Sequence, residues 1–306
     1  MIDLSKRTAL SPQENWEIAT TLQFLLISEL FARKDWKAPA AVFHGGTALS
    51  MLYQTGRRSE DLDFMIDETL SKDLEKTMKS TAKRLQVLAR GIYPDCSIDL
   101  IGPKGHDVDS WFFGWSHPNR HGKVKVKVEF YTRPQDLLKN YLTAQIIPTG
   151  PTHLPAKISN VISGPQLISA WSDKIIAMSQ RPAFKWRDIY DLWFLTKRMK
   201  SLDDSEDPKE HVPYPAQEKF IESLESTASI YGKSLADIRD GLQRMLESGV
   251  LESTDLYADD MKKWFQQDTW DRWNPWTFDL HRTKVREEVL SALYMLNEHT
   301  PSGPTP

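Results

Sequence analysis

The sequence predicts an α/β protein whose N-terminal half carries a small mixed sheet and whose C-terminal half is all α. Three observations lead there. Between residues 12 and 131, stretches with helical spacing of apolar residues alternate with short runs of two-residue period. From 147 to 165, Pro148, Pro151, Pro155 and Pro165 with Gly150 and Gly164 interrupt any regular element. Beyond that segment every periodic stretch is helical. The sequence therefore divides into a domain at 1–150 and a helical domain at 151–306, which is expected to close a cleft over the first.

The elements follow in order. Ser11-Pro12-Gln13-Glu14 has the form of a capping box with proline at the first helical position. Trp16, Ala19, Leu22, Leu26 and Leu30 carry that helix to Arg33. Ala40 to Phe43 is a short apolar strand running into His44-Gly45-Gly46-Thr47, and ALSMLYQ restarts a helix. After the basic turn Gly56-Arg57-Arg58-Ser59, Asp61 to Ile66 alternates as a strand. Residues 68–90 are charged and periodic, hence helical, and Ser97 to Ile101 is a short strand. Residues 123–131 alternate strictly, with Val124, Val126, Val128 and Phe130 opposite Lys123, Lys125, Lys127 and Glu129. Helices are expected at 166–180, 185–200, 215–230, 234–247 and 284–298, and 203–207 is an acidic loop.

Composition excludes several classes. The 306 residues hold 39 Lys and Arg against 42 Asp and Glu, a formal charge of −3, so the whole surface is no polybasic grip for nucleic acid. Hydrophobic residues at 40% are too many for a disordered chain. A single cysteine, Cys96, excludes an intramolecular disulfide framework and a cysteine-rich zinc site. The opening MIDLSKRTALSPQENW has no apolar signal core and no run approaches a membrane span, which predicts a cytoplasmic protein with no membrane partner.

The chemistry concentrates between His44 and Phe64. Asp61 and Asp63, two apart on a strand, face the same way with Cα atoms about 6.6 Å apart. Carboxylates at that spacing can grip two ions about 3.5–4 Å apart, and Glu129 on the polar face of another strand offers a third oxygen ligand. Mg²⁺ suits the set, because it takes few carboxylates and fills its shell with phosphate oxygens and water. Gly45 and Gly46 let backbone approach a ligand, and the N–H groups opening the next helix with the Thr47 hydroxyl form an anion site fit for a triphosphate. A phosphate cradle facing a carboxylate pair is what phosphoryl or nucleotidyl transfer requires.

The stretch FHGGTALSMLYQTGRRSEDLDF resembles the signature of the AbiEii/AbiGii nucleotidyltransferase toxins, which include MenT-like toxins. The resemblance continues in SAWSDKIIAMSQR, with Lys174, and in KWRDIYDLWFL, with Arg187-Asp188-Ile189-Tyr190-Asp191. It implies a nucleotidyltransferase fold with a helical C-terminal region and an NTP substrate. It also implies a toxin of a toxin–antitoxin or phage-defence system, a nearby cognate antitoxin, and an RNA acceptor at a tRNA 3′ end. By the resemblance Ser59, Asp61 and Asp63 fall in the catalytic motif and Lys174 lies near the nucleotide phosphates. The downstream acid is Asp188 or Asp191, with Asp191 preferred as the end of the element. Arg187 and Asp188 join Gly45, Gly46, Thr47, Ser59 and Lys174 as nucleotide-binding residues. Arg187 and Asp191, four apart on a helix, share a face where an ion pair can form.

Other features weigh less. His44 is equally a phosphate contact or a packed strand end, and His106, His117 and His121 have no metal-ligand spacing. Trp264, Trp270, Trp273 and Trp276, interleaved with Lys263 and Arg272, suit packing better than base stacking. Lys123, Lys125 and Lys127 are a solvent face or a guide for a phosphate backbone. The competing functions are a small-molecule nucleotidyltransferase of the antibiotic-modifying kind, which needs a compact acceptor pocket, and a catalytically silent binding module.

Overall fold

The structure is a computed structural model that describes residues 7–105, 108–151, 154, 160–252, 260–265, 270–271 and 275–299. Two compact units emerge, one of Met1–Gln54, Ser59–Lys139 and Thr143–Gly164, the other of Thr55–Arg58, Asn140–Leu142 and Pro165–Pro306.

The first unit opens with β1 (Thr8–Ala9) and α1 (Pro12–Phe31). The expected capping box is present: Glu14 N–H donates to Ser11 Oγ at 3.2 Å and Ser11 N–H to Glu14 Oε2 at 2.9 Å. Then come β2 (Ala41–His44), α2 (Gly45–Tyr53), β3 (Leu62–Ile66), α3 (Glu68–Lys72) and α4 (Leu74–Ile92). The helix expected over 68–90 breaks at Asp73, since the Asp67 carboxylate caps a separate first turn through Thr69 and Leu70 N–H. β4 (Ser97–Lys104), β5 (Asp109–Ser116), β6 (Arg120–His121), β7 (Val124–Thr132), α5 (Gln135–Asn140), β8 (Thr143–Ile146) and β9 (Ile162–Pro165) follow.

Five strands form one mixed sheet in the order β2-β3-β7-β5-β4, with β3 and β7 parallel and the other neighbours antiparallel. Because side chains alternate, Phe43, Leu62, Phe64, Val126, Val128, Phe130, Trp111 and Phe113 turn to one face and are buried with Leu22, Leu26, Leu30 and Leu85 of α1 and α4. Phe64 and Phe130 stack across β3 and β7 at 5.4 Å, with the Trp36 ring edge-on to both. The opposite face carries Asp63, Glu129, Lys127 and Lys125. Hydrophobic burial thus fixes the register, and the register fixes which polar side chains stand together.

The second unit holds α6 (Leu167–Gln180), α7 (Trp186–Asp203), α8 (Gln217–Ile230), α9 (Leu235–Glu247), a 3₁₀ turn at Val250–Glu252 and α10 (Pro275–His299). The last helix starts earlier than its apolar period indicates. α6 packs against α7, α8 and α9, and a Cβ on Gly241 of α9 would collide with the Ser179 carbonyl of α6, so the two backbones touch. Among the described residues no helix is long and apolar enough to cross a membrane.

Candidate active site

The glycine turn and the acidic strand meet in the first unit. Gly45 follows β2 and opens α2 with φ of +77°, a conformation that only glycine adopts without strain. A Cβ there would collide with Asp63 Oδ2, so the turn lies directly against that carboxylate. His44 pairs in register with Asp63, and Asp63 with Glu129, which sets the three side by side across β2, β3 and β7. Asp61 stands just before β3 and, like Asp63, is half-buried. The Thr47 hydroxyl donates to the Asp61 carbonyl and is buried. It ties α2 to the acidic segment, so its proton is already committed and is not available to a phosphate. Gln23 of α1 braces the same segment, its amide donating to the carbonyls of Ser59 at 3.1 Å and Glu60 at 2.7 Å. Trp16, Gln23, Thr47, Ser50 and Ser59 border a cavity of about 140 Å³ beside this brace.

Lys127 is the cation among these acids. Its ammonium lies 2.7 Å from Glu129 Oε1, and the Ser110 hydroxyl donates to the same oxygen at 3.3 Å. Partial burial opposes the charged ammonium, yet Glu129, Asp61 and Asp63 outweigh it and hold its pKa above the ordinary lysine range. The donor set is hard carboxylate oxygen, Asp63 and Glu129 on adjacent strands and Asp61 just before the first of them, which fits Mg²⁺. Among the described residues no three acidic, histidine or cysteine side chains are drawn together tightly enough to hold an ion as they stand. Lys127 and Ser110 both engage Oε1 of Glu129, so a metal would be served by the other carboxylate oxygen.

In the second unit Lys174 of α6 faces Asp188 and Asp191 of α7, at 3.0 Å and 2.7 Å. Asp191 is fully buried and also bound side-on by Arg57, with Nε to Oδ1 at 2.5 Å and Nη2 to Oδ2 at 2.6 Å. Arg181 holds the other oxygen of Asp188. Burial by itself would raise the Asp191 pKa; Arg57 and Lys174 reverse that and hold the carboxyl below its ordinary range.

The sequence profile described as nucleotidyl transferase AbiEii toxin, type IV TA system, matches residues 29–266. The chain belongs to the AbiEii nucleotidyltransferase toxin family. It is therefore a nucleotidyltransferase of the toxin class, with a mixed α/β half and a helical C-terminal region. Solved structures similar to it include JHP933 from Helicobacter pylori, at 17% identity over 95% of this chain and 97% of that one, TM-score 0.49. MenT4, a nucleotidyltransferase toxin from Mycobacterium tuberculosis H37Rv, aligns at 15% identity over 92% and 94%, TM-score 0.43. No curated protein matches the chain significantly.

Within this AbiEii chain the structure gathers Gly45, Asp63 and Glu129, with Asp61, Thr47 and Ser59 on the connected backbone. Lys174, Asp188 and Asp191 form a second group. The ion pair expected between Arg187 and Asp191 does not form. Arg187 instead lies over the Trp264 ring, 4.7 Å from its centroid, while the buried Arg57 fork takes Asp191. A planar guanidinium bound side-on outcompetes an i,i+4 partner that sits partly in water. Arg57 joins this group without a motif of its own; its signal in the sequence is the basic turn directly before Ser59-Glu60-Asp61. Trp264 is buried, as expected of packing, and Trp273 and the Trp276 side chain lie outside the described residues, as do His106 and Arg272. Cys96 is buried, and burial pushes its thiol pKa up, away from reactivity.

Proposed function

We propose that the chain transfers a nucleotide from an NTP to a hydroxyl at an RNA end, with tRNA 3′ ends as the acceptor, in a Mg²⁺-dependent reaction that a cognate antitoxin restrains. The observation that carries this reading is the Gly45 backbone lying against Asp63, with Glu129 beside it in register. It puts the N–H groups at the start of α2 next to the carboxylates, so that phosphate and metal ligands converge.

In this reading Gly45 and Gly46 N–H groups bind the phosphates, with Ser59 close by. Asp61 and Asp63 hold Mg²⁺, with Glu129 as a third donor through the carboxylate oxygen that Lys127 and Ser110 do not engage. When bound, the metal lowers the pKa of the acceptor hydroxyl and neutralises the leaving triphosphate. The acceptor oxygen bonds to the α-phosphorus, the bond from that phosphorus to pyrophosphate breaks, and the hydroxyl proton is lost to solvent. Lys174 enters as a member of its ionic group. Arg57, Lys174 and Arg181 converge on Asp188 and Asp191, and the Lys174 charge also acts on the neighbouring Asp173. The phosphate role of Lys174 rests on the family resemblance.

The test is incubation with each NTP labelled at the α-phosphate, Mg²⁺ and total RNA, beside an Asp63→Asn control. Label in a tRNA-sized band with the wild-type chain alone is expected. Folded protein that binds Mg²⁺-NTP yet labels no RNA with any of the four would sink the RNA acceptor and turn attention to small-molecule hydroxyls.

A further inference from the structure

The sheet face that carries the carboxylates also carries an aromatic side chain, Phe112 of β5, that the chemistry described above does not use. Strand β5 buries Trp111, Phe113 and Trp115 in the core, so Phe112 turns the other way, among charged neighbours, and is half-buried. Registers place it one row from the acidic centre. Ser110 pairs with Glu129 and Phe112 pairs with Lys127 on one side and Ile101 on the other. One row further, Lys125 pairs with Gly114. A step of two residues along β5 is about 6.6 Å, the length of one nucleotide in an extended single strand.

The surroundings suit a nucleotide. Lys104 holds its ammonium 5.7 Å from the Phe112 centroid, and Lys125 is exposed one row beyond. Ile101, the register partner of Phe112 on β4, is 39% exposed and adds apolar surface beside the ring. Asp99, which pairs with Gly114, is engaged by Lys123 at 3.5 Å, and a Cβ on Gly114 would collide with it, so Gly114 keeps the row low. An aromatic ring on an open sheet face, flanked by lysines, is the chemistry that stacks an unpaired base and holds its phosphates. The exposed cation over the ring is a weaker contact than a stacked base and can be displaced by one.

We propose that Phe112, with Lys104 and Lys125, forms a subsite for the unpaired nucleotide next to the reacting end of the acceptor strand. The subsite rests on the RNA-acceptor reading above and adds to it the residue that positions the acceptor. It stacks whichever base stands there and grips its backbone. Phe112 is a positioning residue that touches the acceptor and leaves the NTP untouched.

The test uses the full chain and a short oligoribonucleotide ending in a free 3′ hydroxyl, with 5-iodouridine as the penultimate nucleotide. Irradiation should cross-link the oligonucleotide to Phe112, mapped by mass spectrometry of the peptide. In steady-state transfer, Phe112→Leu should raise the acceptor KM roughly tenfold, with the NTP KM and the melting temperature little changed, and Phe112→Tyr should restore it. A cross-link mapped elsewhere, or Phe112→Leu with the wild-type acceptor KM while RNA is still labelled, overturns the subsite and leaves the RNA reading standing. If the wild-type chain labels no RNA and cross-links to none, the RNA reading itself has failed and the subsite falls with it.

Discussion

At the scale of single residues, the proposed reaction makes two positions around the acidic centre decisive. Gly45 combines positive φ with contact against Asp63 Oδ2. Gly45→Ala must both strain the backbone, at about 1–2 kcal/mol, and push the carboxylate aside. Since a misplacement near 1 Å can cost about a hundredfold in rate, transfer is expected to fall at least that far while the fold survives. A labelled-nucleotide assay beside a thermal melt checks it; a variant with near wild-type turnover would mean that Asp63 tolerates movement and is not a ligand. Lys127 works in the opposite sense. Its ammonium screens Glu129, Asp61 and Asp63 from one another, so Lys127→Met leaves like charges uncompensated and raises their demand for a cation. Titrating activity with Mg²⁺ should then show half-maximal rate at several-fold lower metal, and an unchanged midpoint would argue that Glu129 takes no part.

At the scale of elements, α6 and α7 are joined through buried charge. Asp191 answers both Arg57 and Lys174 with no exposure of its own. Asp191→Asn strands a buried guanidinium and should destabilise the second unit by about 3–5 kcal/mol. Replacing the pair together, Arg57→Met with Asp191→Leu, should recover the part owed to the stranded guanidinium, because well-packed apolar groups can replace a buried pair at little cost, while Lys174 keeps Asp188 as its partner. Urea unfolding of the single and double variants separates the two, and a double variant as unstable as the single one would refute the account. The same elements mark what the sequence made legible. Strands β3 and β7 were readable because Leu62, Phe64, Val126 and Val128 alternate with Asp63, Lys125, Lys127 and Glu129. Strand β5 was not, although it lies inside the sheet: in Trp111-Phe112-Phe113 the ring that faces outward is as apolar as those that face the core, and the two-residue period vanishes. Of the site, the turn and the carboxylates could be read from local spacing. Arg57 could not, since the contact between residues 57 and 191 has no local period, and the commitment of the Thr47 hydroxyl to Asp61 likewise depends on folded geometry.

At the scale of the whole molecule, two buried titratable groups give stability opposite slopes against pH. Asp173 of α6 is enclosed with the hydroxyls of Tyr141 at 2.5 Å and Tyr231 at 3.1 Å. Burial dominates these hydrogen bonds and the nearby Lys174 charge, and its pKa is pushed up to about 6 from 3.8. The folded state then binds a proton that the unfolded state has released, so stability falls as pH rises from about 4 to 6. His281 of α10 lies against the Trp193 ring at 3.8 Å; burial, and secondarily Lys197, depress its pKa to about 4 from 6.5. Here the unfolded state takes the proton first, so this contribution is complete above 6.5 and is lost as pH falls towards 4. Each effect is about 3 kcal/mol at most over its window, and the windows overlap, so the two nearly cancel in the wild-type chain. Removing one exposes the other. Relative to wild type, Asp173→Asn should lose stability progressively as pH falls from 6.5 to 4, because only the histidine slope remains, while His281→Gln should lose it as pH rises from 4 to 6. Denaturant unfolding of the three proteins at half-unit pH intervals reads the differences directly, since every other titrating group is common to them. Parallel curves would mean that neither group changes its proton affinity on folding, and that the burial seen around Asp173 and His281 is relieved by water in solution.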